Sequence, residues 1–357
     1  MRRLNILHDQ DASSLKKMLI LTFVIVFSFV AGCYKPEEET VYSVPEEALI
    51  LEPVISEAYE NADAIVTIIS DDGFYMSGLY LNELMKRFEL HASVAGVVDY
   101  IDPYLDEWKE IVNEGHVEVI NHSYSHKTMK EGSLISYNYF SLRHQIVDSD
   151  KYYEKNFGEE QIVFIFPGNA ICSQGYTILQ DNGFWASRSD TRGFNSLSPE
   201  DGNQEGQWYQ LCMFGIKDDG VDTEVRNGWI DQAITENLWV IEMWHEVLAE
   251  DDGMFQTITI GESAEHLYYL SQKVDSGEVW NPTFTDAVKY IREKQNSNVY
   301  AYILDGKLYL YVELTDPDMS YDTFNHPLTV GVCLPNDTEI TYYNVIPGEE
   351  LIIELDG

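Results

Sequence analysis

Ala64-Ile65-Val66-Thr67-Ile68-Ile69-Ser70-Asp71-Asp72-Gly73 is the stretch from which the fold can be read. Its first six residues make an apolar run rich in β-branched side chains, the composition of a buried strand. The run breaks at Gly73, and the next segment carries Leu81, Leu84, Met85 and Phe88 at the spacing of one helical face. A second strand-like run follows at 92–98, and Leu105, Trp108, Ile111 and Val112 mark another helix face that ends at Gly115. The alternation continues with strand 117–120, helix 136–157, strand 162–166, helix 174–181 and strand 184–188. Strand 209–216, helix 228–237, strand 238–244 and helices at 263–276 and 285–295 complete it. Strands alternating with helices of this length predict an α/β fold on a parallel sheet, open or closed into a barrel.

The two ends of the chain read differently. Residues 298–304 and 307–314 flank Asp305-Gly306, a hairpin turn signal, and strand patterns follow at 328–334, 340–345 and 350–355. Residues 298–357 are therefore expected to form a small all-β accessory module. At the other end, Arg2, Arg3, Lys16 and Lys17 precede an apolar run of 14 residues, 18–31. That is short of the ~20 residues needed to span ~30 Å of hydrocarbon, so it reads as a signal peptide. It ends in Val30-Ala31-Gly32-Cys33, which resembles the lipobox of bacterial lipoproteins. The resemblance implies cleavage after residue 32, lipid on the Cys33 thiol, and an extracytoplasmic protein held to a membrane by that anchor. Residues 33–60, rich in Glu, read as an acidic tether with one short ordered piece near 49–55.

Charge excludes one class of partner. Residues 1–32 hold four basic and two acidic side chains, so the remainder has 18 basic and 59 acidic ones and a formal net charge of −41. Such a surface repels phosphate backbones, and nucleic acid is not expected as a partner. Cys172, Cys212 and Cys333, an odd and scattered set, make neither a disulfide framework nor a metal finger.

Chemistry collects just after the predicted strands, the face where parallel barrels gather catalytic groups. Asp71 and Asp72 are adjacent carboxylates at a strand end; Asp-Asp-Gly is also ordinary turn chemistry. Gly115-His116-Val117-Glu118-Val119-Ile120-Asn121-His122-Ser123-Tyr124-Ser125-His126 places His122 and His126 four apart, so that one helical turn would aim both imidazoles the same way. Imidazole with carboxylate suits zinc and other divalent transition metals.

Taken in order, these two segments resemble the polysaccharide deacetylases with a NodB-type domain, carbohydrate esterase family 4. The resemblance covers roughly residues 61–250. It implies a distorted (β/α) barrel of about seven strands, here within 61–297. It implies Asp71 as general base, and Asp72, His122 and His126 as ligands of a divalent metal, zinc first. Phe164-Ile165-Phe166-Pro167-Gly168-Asn169 falls where the family carries Arg-Pro-Pro-Tyr-Gly, with Ile165 at the arginine position and Pro167 expected at the substrate. The base thus lacks its usual partner. Arg188, in Ala186-Ser187-Arg188-Ser189-Asp190, either supplies a substitute backed by Asp190 or is a surface residue paired with Asp190. Val240-Ile241-Glu242-Met243-Trp244-His245 resembles the final family motif, which implies His245 as general acid and Trp244 or Met243 at the acetyl pocket.

The expected activity is removal of N-acetyl groups from an acetylated carbohydrate polymer or oligomer. An O-acetyl esterase acting on a polymer such as xylan would use the same constellation. A carbohydrate-binding lipoprotein with a degenerate site is the alternative from another class.

Overall fold

The structure, a computed structural model, describes residues 42–127, 139–158, 160–169, 172–251, 253, 256–335 and 337–355. Cys33 and the apolar run before it lie outside the described residues.

Seven parallel strands close into a barrel in chain order: β1 (Ala64–Asp72), β2 (Ala92–Gly96), β3 (Val117–Asn121), β4 (Val163–Ile165), β5 (Ala186–Arg192), β6 (Leu211–Gly215) and β7 (Leu238–Trp244). β7 pairs back onto β1 from Trp239↔Ile65 to Trp244↔Ser70, which seals the ring. The distortion is local. β3 and β4 share the single register pair Asn121↔Phe164, and the β5–β6 ladder slips between Arg188 and Arg192. Two short strands lie outside the ring, Val279–Trp280 on β1 and Asn195–Ser196 on β7.

Helices α1 (Tyr75–Phe88), α2 (Leu105–Asn113), α3 (Ser149–Phe157), α4 (Ser173–Asp181), α5 (Thr223–Glu236), α6 (Ile260–Asp275) and α7 (Phe284–Gln295) accompany the barrel. Alternation along the strands divides the apolar side chains between two cores. Ile65, Ile69, Ala95, Ile120, Met213, Ile241 and Met243 belong to one. Val66, Ile68, Val94, Val119, Val240 and Trp244 pack in the other with Leu81, Leu84, Met85, Trp108, Ile230 and Leu267 of the helices. Each such buried side chain is worth ~1.5–3 kcal/mol relative to exposure. A polar cluster sits within this second layer. His266 on α6 and Glu242 on β7 are both fully buried and 2.8 Å apart. The second His266 nitrogen meets Asn227 at 2.8 Å, and Trp244 Nε1 donates to Glu242 at 3.0 Å.

Beyond α7 the chain forms two antiparallel sheets. Ser297–Leu304 and Lys307–Leu314 make the hairpin, turned at Asp305 and Gly306, both with positive φ as an Asp-Gly turn requires. Glu350–Glu354 extends that sheet, and Thr341–Val345 pairs with Leu328–Val332 in the other. Residues 49–55, within the segment read as a tether, give each sheet one more strand: Leu49–Ile50 pairs with the hairpin and Val54–Ile55 with Leu328–Val332. The sheets' inner side chains, among them Leu308, Leu310, Val312, Phe324, Leu328 and Val330, share a core with Val163, Phe284, Tyr290 and Ile291. Glu46–Gly357 is accordingly one compact unit.

Candidate active site

β1 delivers two carboxylates to the barrel mouth by different means. Asp71 continues the inward parity of Ile65 and Ile69, and only 6% of its side chain is exposed. Asp72 has the opposite parity, which a regular strand would turn outward. Its φ of +77° breaks the pattern, and the carboxylate lies against His126 instead. Gly73 follows with φ +80°, and a Cβ there would stand 2.9 Å from Ile101 and 3.0 Å from the backbone of Gly96. Glycine is required at that position on both counts.

His122 and His126 follow β3, in a loop rather than a helical turn as their spacing suggested. Ser123 and His126 both adopt positive φ, and those two left-handed residues bring the imidazoles onto Asp72. The loop is pinned from below. Asn121 Oδ1 accepts from Ser123 N at 3.0 Å and from Ser149 Oγ at 2.9 Å, while Gln145 Oε1 accepts from Ser125 N at 3.0 Å. Asn121, Gln145 and Ser149 escaped the sequence reading, since nothing in their local pattern separates them from ordinary helix and strand-end polar residues.

The three predicted ligands fit a metal ion. His126 Nε2 lies 3.0 Å, and His122 Nε2 3.8 Å, from Asp72 Oδ1. One donor atom from each of the three residues falls within 4.8 Å of the others. Tetrahedral ligands at ~2.1 Å from zinc stand ~3.4 Å apart, between those two distances. His122 is 1% exposed, and its Nδ1 can only donate to the Ile165 carbonyl 2.8 Å away. That fixes the tautomer and leaves the Nε2 lone pair facing Asp72, buried and without a hydrogen-bond partner. Burial also holds the His122 ring below its usual pKa, in the neutral form that a metal needs. Ile165, at the position where arginine was missing, thus contributes through its backbone.

Arg188 rises from β5 with no exposed surface, so it is not a surface residue. Its guanidinium grips Asp71 with both arms, Nη1 to Oδ1 at 3.0 Å and Nη2 to Oδ2 at 2.6 Å. Burial pushes the Asp71 carboxyl upward, but Arg188, with His122 and His245 nearby, outweighs it and holds the group below its ordinary range. Asp190, expected behind the fork, is exposed and lines the cavity instead.

A cavity of 420 Å³ joins these groups. Asp71, Asp72, His122, His126 and His245 line it, together with Gly168, Asp190, Met213, Asp218, Met243 and Gln256. Two expected substrate contacts need correction. Trp244 is fully buried against the helices and bonded to Glu242, so Met243, of the opposite parity, faces the cavity. Pro167 is buried beside it, and the wall is formed by Gly168, whose φ is +60°. Asp218, Gln256 and Met213 are cavity residues that no motif pointed to.

The ligand geometry makes a prediction. Chelator-treated protein should gain thermal stability when zinc is added, by ~2.7 kcal/mol at a hundredfold excess over Kd, and His122→Ala should lose that gain. An equal gain in the variant would place zinc elsewhere.

Comparison with known proteins agrees with this architecture. Residues 59–186 match the family model for polysaccharide deacetylase. No curated protein sequence matches the chain. A Mycobacterium smegmatis protein named as a polysaccharide deacetylase superposes with a TM-score of 0.50 at 12% identity, covering 69% of this chain and 96% of its own. A family 4 acetyl xylan esterase from Clostridium thermocellum, bound to cobalt, gives 0.42 at 16% identity over 62% of this chain and 89% of its own. A peptidoglycan N-acetylglucosamine deacetylase gives 0.43 at 16% identity over 64% and 94%. Residues 59–186 are thus similar to the polysaccharide deacetylase family, and the closed seven-stranded barrel is a fold shared with the Mycobacterium smegmatis protein.

Proposed function

We propose that the chain is a metal-dependent hydrolase that removes N-acetyl groups from a carbohydrate. One observation carries the reading: a buried carboxylate clamped by arginine stands beside an Asp-His-His ligand set in one cavity. Asp72, His122 and His126 would hold the ion, zinc being the first candidate for two imidazoles and a carboxylate. When bound, such an ion supplies positive charge that polarises an acetyl carbonyl and acidifies water.

The remaining work falls to the chain itself. Asp71 is kept ionised in a buried place, and each of its oxygens retains a lone pair beyond the one Arg188 uses. It takes a proton from the attacking water. Arg188 keeps the carboxylate from swinging toward the ligand set. His245, at the end of β7 and half-buried in the same cavity, gives a proton to the leaving nitrogen. Met213 and Met243 offer the acetyl methyl an apolar wall. The non-catalytic alternative drew on the lack of an arginine at 165, and the fork from Arg188 supports the catalytic reading instead. An ester substrate would use the same groups, so the two leaving groups are separated only by assay.

Location belongs to the same proposal. We place the mature protein outside the cytoplasm, anchored through lipid on Cys33. Among the described residues no helix is long and apolar enough to cross a membrane. The protein should fractionate with membranes, and Cys33→Ala should release it; full solubility of the unaltered protein would contradict the anchor.

For the chemistry, zinc-loaded protein should release acetate from N-acetylglucosamine oligomers faster than from acetylated xylan. His245→Ala should lower kcat by ~10²–10⁴. Arg188→Lys should be no better than Arg188→Ala, because a point charge cannot reproduce the two-armed grip. Near-normal turnover by Arg188→Lys would mean that charge alone suffices.

A further inference from the structure

Asp71 and Asp72 are accounted for by Arg188 and by the imidazoles, yet the same cavity holds two further carboxylates. Asp190 ends the inward row of β5, on the parity of Ala186 and Arg188, and is exposed to the cavity. Asp218 comes from the turn after β6, with 31% of its side chain exposed. Its placement is specific. A Cβ on Gly215 would stand 2.5 Å from Asp218 Oδ1, so the carboxylate rests where any other residue at 215 would displace it. Gln256 Nε2 steadies it at 3.3 Å. The cations nearby do little to offset these charges. Arg188 is committed to Asp71, and Arg192, half-exposed, reaches Asp218 only at 3.8 Å. Among the described residues that line the cavity there is no lysine. The cavity is a ligand site on independent grounds, because the buried, unpartnered His122 Nε2 faces into it.

A substrate sugar entering here brings its neighbours in the chain past Asp190 and Asp218. We propose that these two residues make the site selective for amino-sugar chains that already carry free ammonium groups, and against chains bearing carboxylates. This rests on the deacetylase reading and sharpens its substrate class. Hydrolysis of one acetamide leaves an ammonium on that sugar, so each turnover creates the charge that Asp190 and Asp218 recognise on the neighbouring unit. Rejection of anionic polymers follows from the same two carboxylates, since juxtaposed like charges discriminate against the wrong partner. The formal net charge of −39 on the whole chain acts in the same direction at longer range.

The test compares three acetylated oligomers of equal length on the zinc-loaded protein: fully acetylated glucosamine, partly deacetylated glucosamine, and one containing uronic acid. Acetate release gives kcat/KM for each at low and high salt, and calorimetry gives the binding of a fully deacetylated oligomer. Expected is a preference for the partly deacetylated over the fully acetylated oligomer of about fivefold at low salt, shrinking at high salt. The uronic oligomer should be the poorest. Within the Asp190→Asn, Asp218→Asn double variant the preference ratio should fall toward one, and deacetylated oligomer should bind more weakly. A ratio at or below one in the unaltered protein, or an unchanged ratio in the double variant, overturns the proposal. Should no oligomer release acetate, the deacetylase reading falls by itself, and the calorimetric comparison of the two proteins still decides the charge preference.

Discussion

Asp71 and Arg188 are 117 residues apart in the chain and meet at the barrel mouth with almost no exposed surface. Removing both charges from water costs several kcal/mol per ion, and attraction repays it only where geometry is good. The two-armed grip meets that condition. Even so, pairs of this kind are often neutral for stability, whereas losing one partner costs ~3–5 kcal/mol. Fold stability therefore gives little reason for the pair. A carboxylate that has to stay ionised and immobile beside the Asp72, His122 and His126 cluster gives a direct one.

The rest of the site is arranged around that fixed charge. A parallel barrel collects the ends of β1, β3, β4, β5 and β7 on one rim, so short stretches far apart in sequence become neighbours. The rim is also strained. Asp72, Ser123 and His126 are non-glycine residues with positive φ, each costing of order 1–3 kcal/mol. The polar shelf of Asn121, Gln145 and Ser149 holds two of them in place. The Ile165 carbonyl does the same for the His122 ring. Backbone strain and hydrogen bonding thus do what a helical turn would have done for the histidine pair.

Much of this was legible because strand and helix periods differ. The runs at 64–69, 92–98 and 238–244 announce β1, β2 and β7, and Asp71, Asp72 and His245, just past the first and last of them, announce the rim. Arg188 could be found by asking what must neutralise Asp71 once Ile165 could not. Parity on β7 was not legible, for a physical reason. Its residues are buried on both faces, so the sequence reads as one apolar run with no alternation to show that Met243 faces the cavity and Trp244 the helices. Helix starts were late for a related reason. α6 begins at Ile260, set by the capping box of Thr259 and Glu262, three residues ahead of the apolar pattern at 263. The ordered piece near 49–55 stood out from the acidic stretch around it, but its division into two edge strands, one for each sheet, depends on distant partners at 302–303 and 330–331. The loop turns at Ser123 and His126 carry little sequence signal, since serine does not favour a left-handed backbone and histidine adopts one only as a minority state.

The central claim is that Asp71 and Arg188 act as one unit in turnover. A double-mutant cycle on acetate release measures it: the unaltered protein, Asp71→Asn, Arg188→Gln and the combination, each assayed at full zinc occupancy. Residues that act together are non-additive. The account predicts that the combined variant loses little more activity than the worse of the two single variants. Losses that multiply, with the double variant falling by the product of the two, would show that the residues act independently and would contradict it.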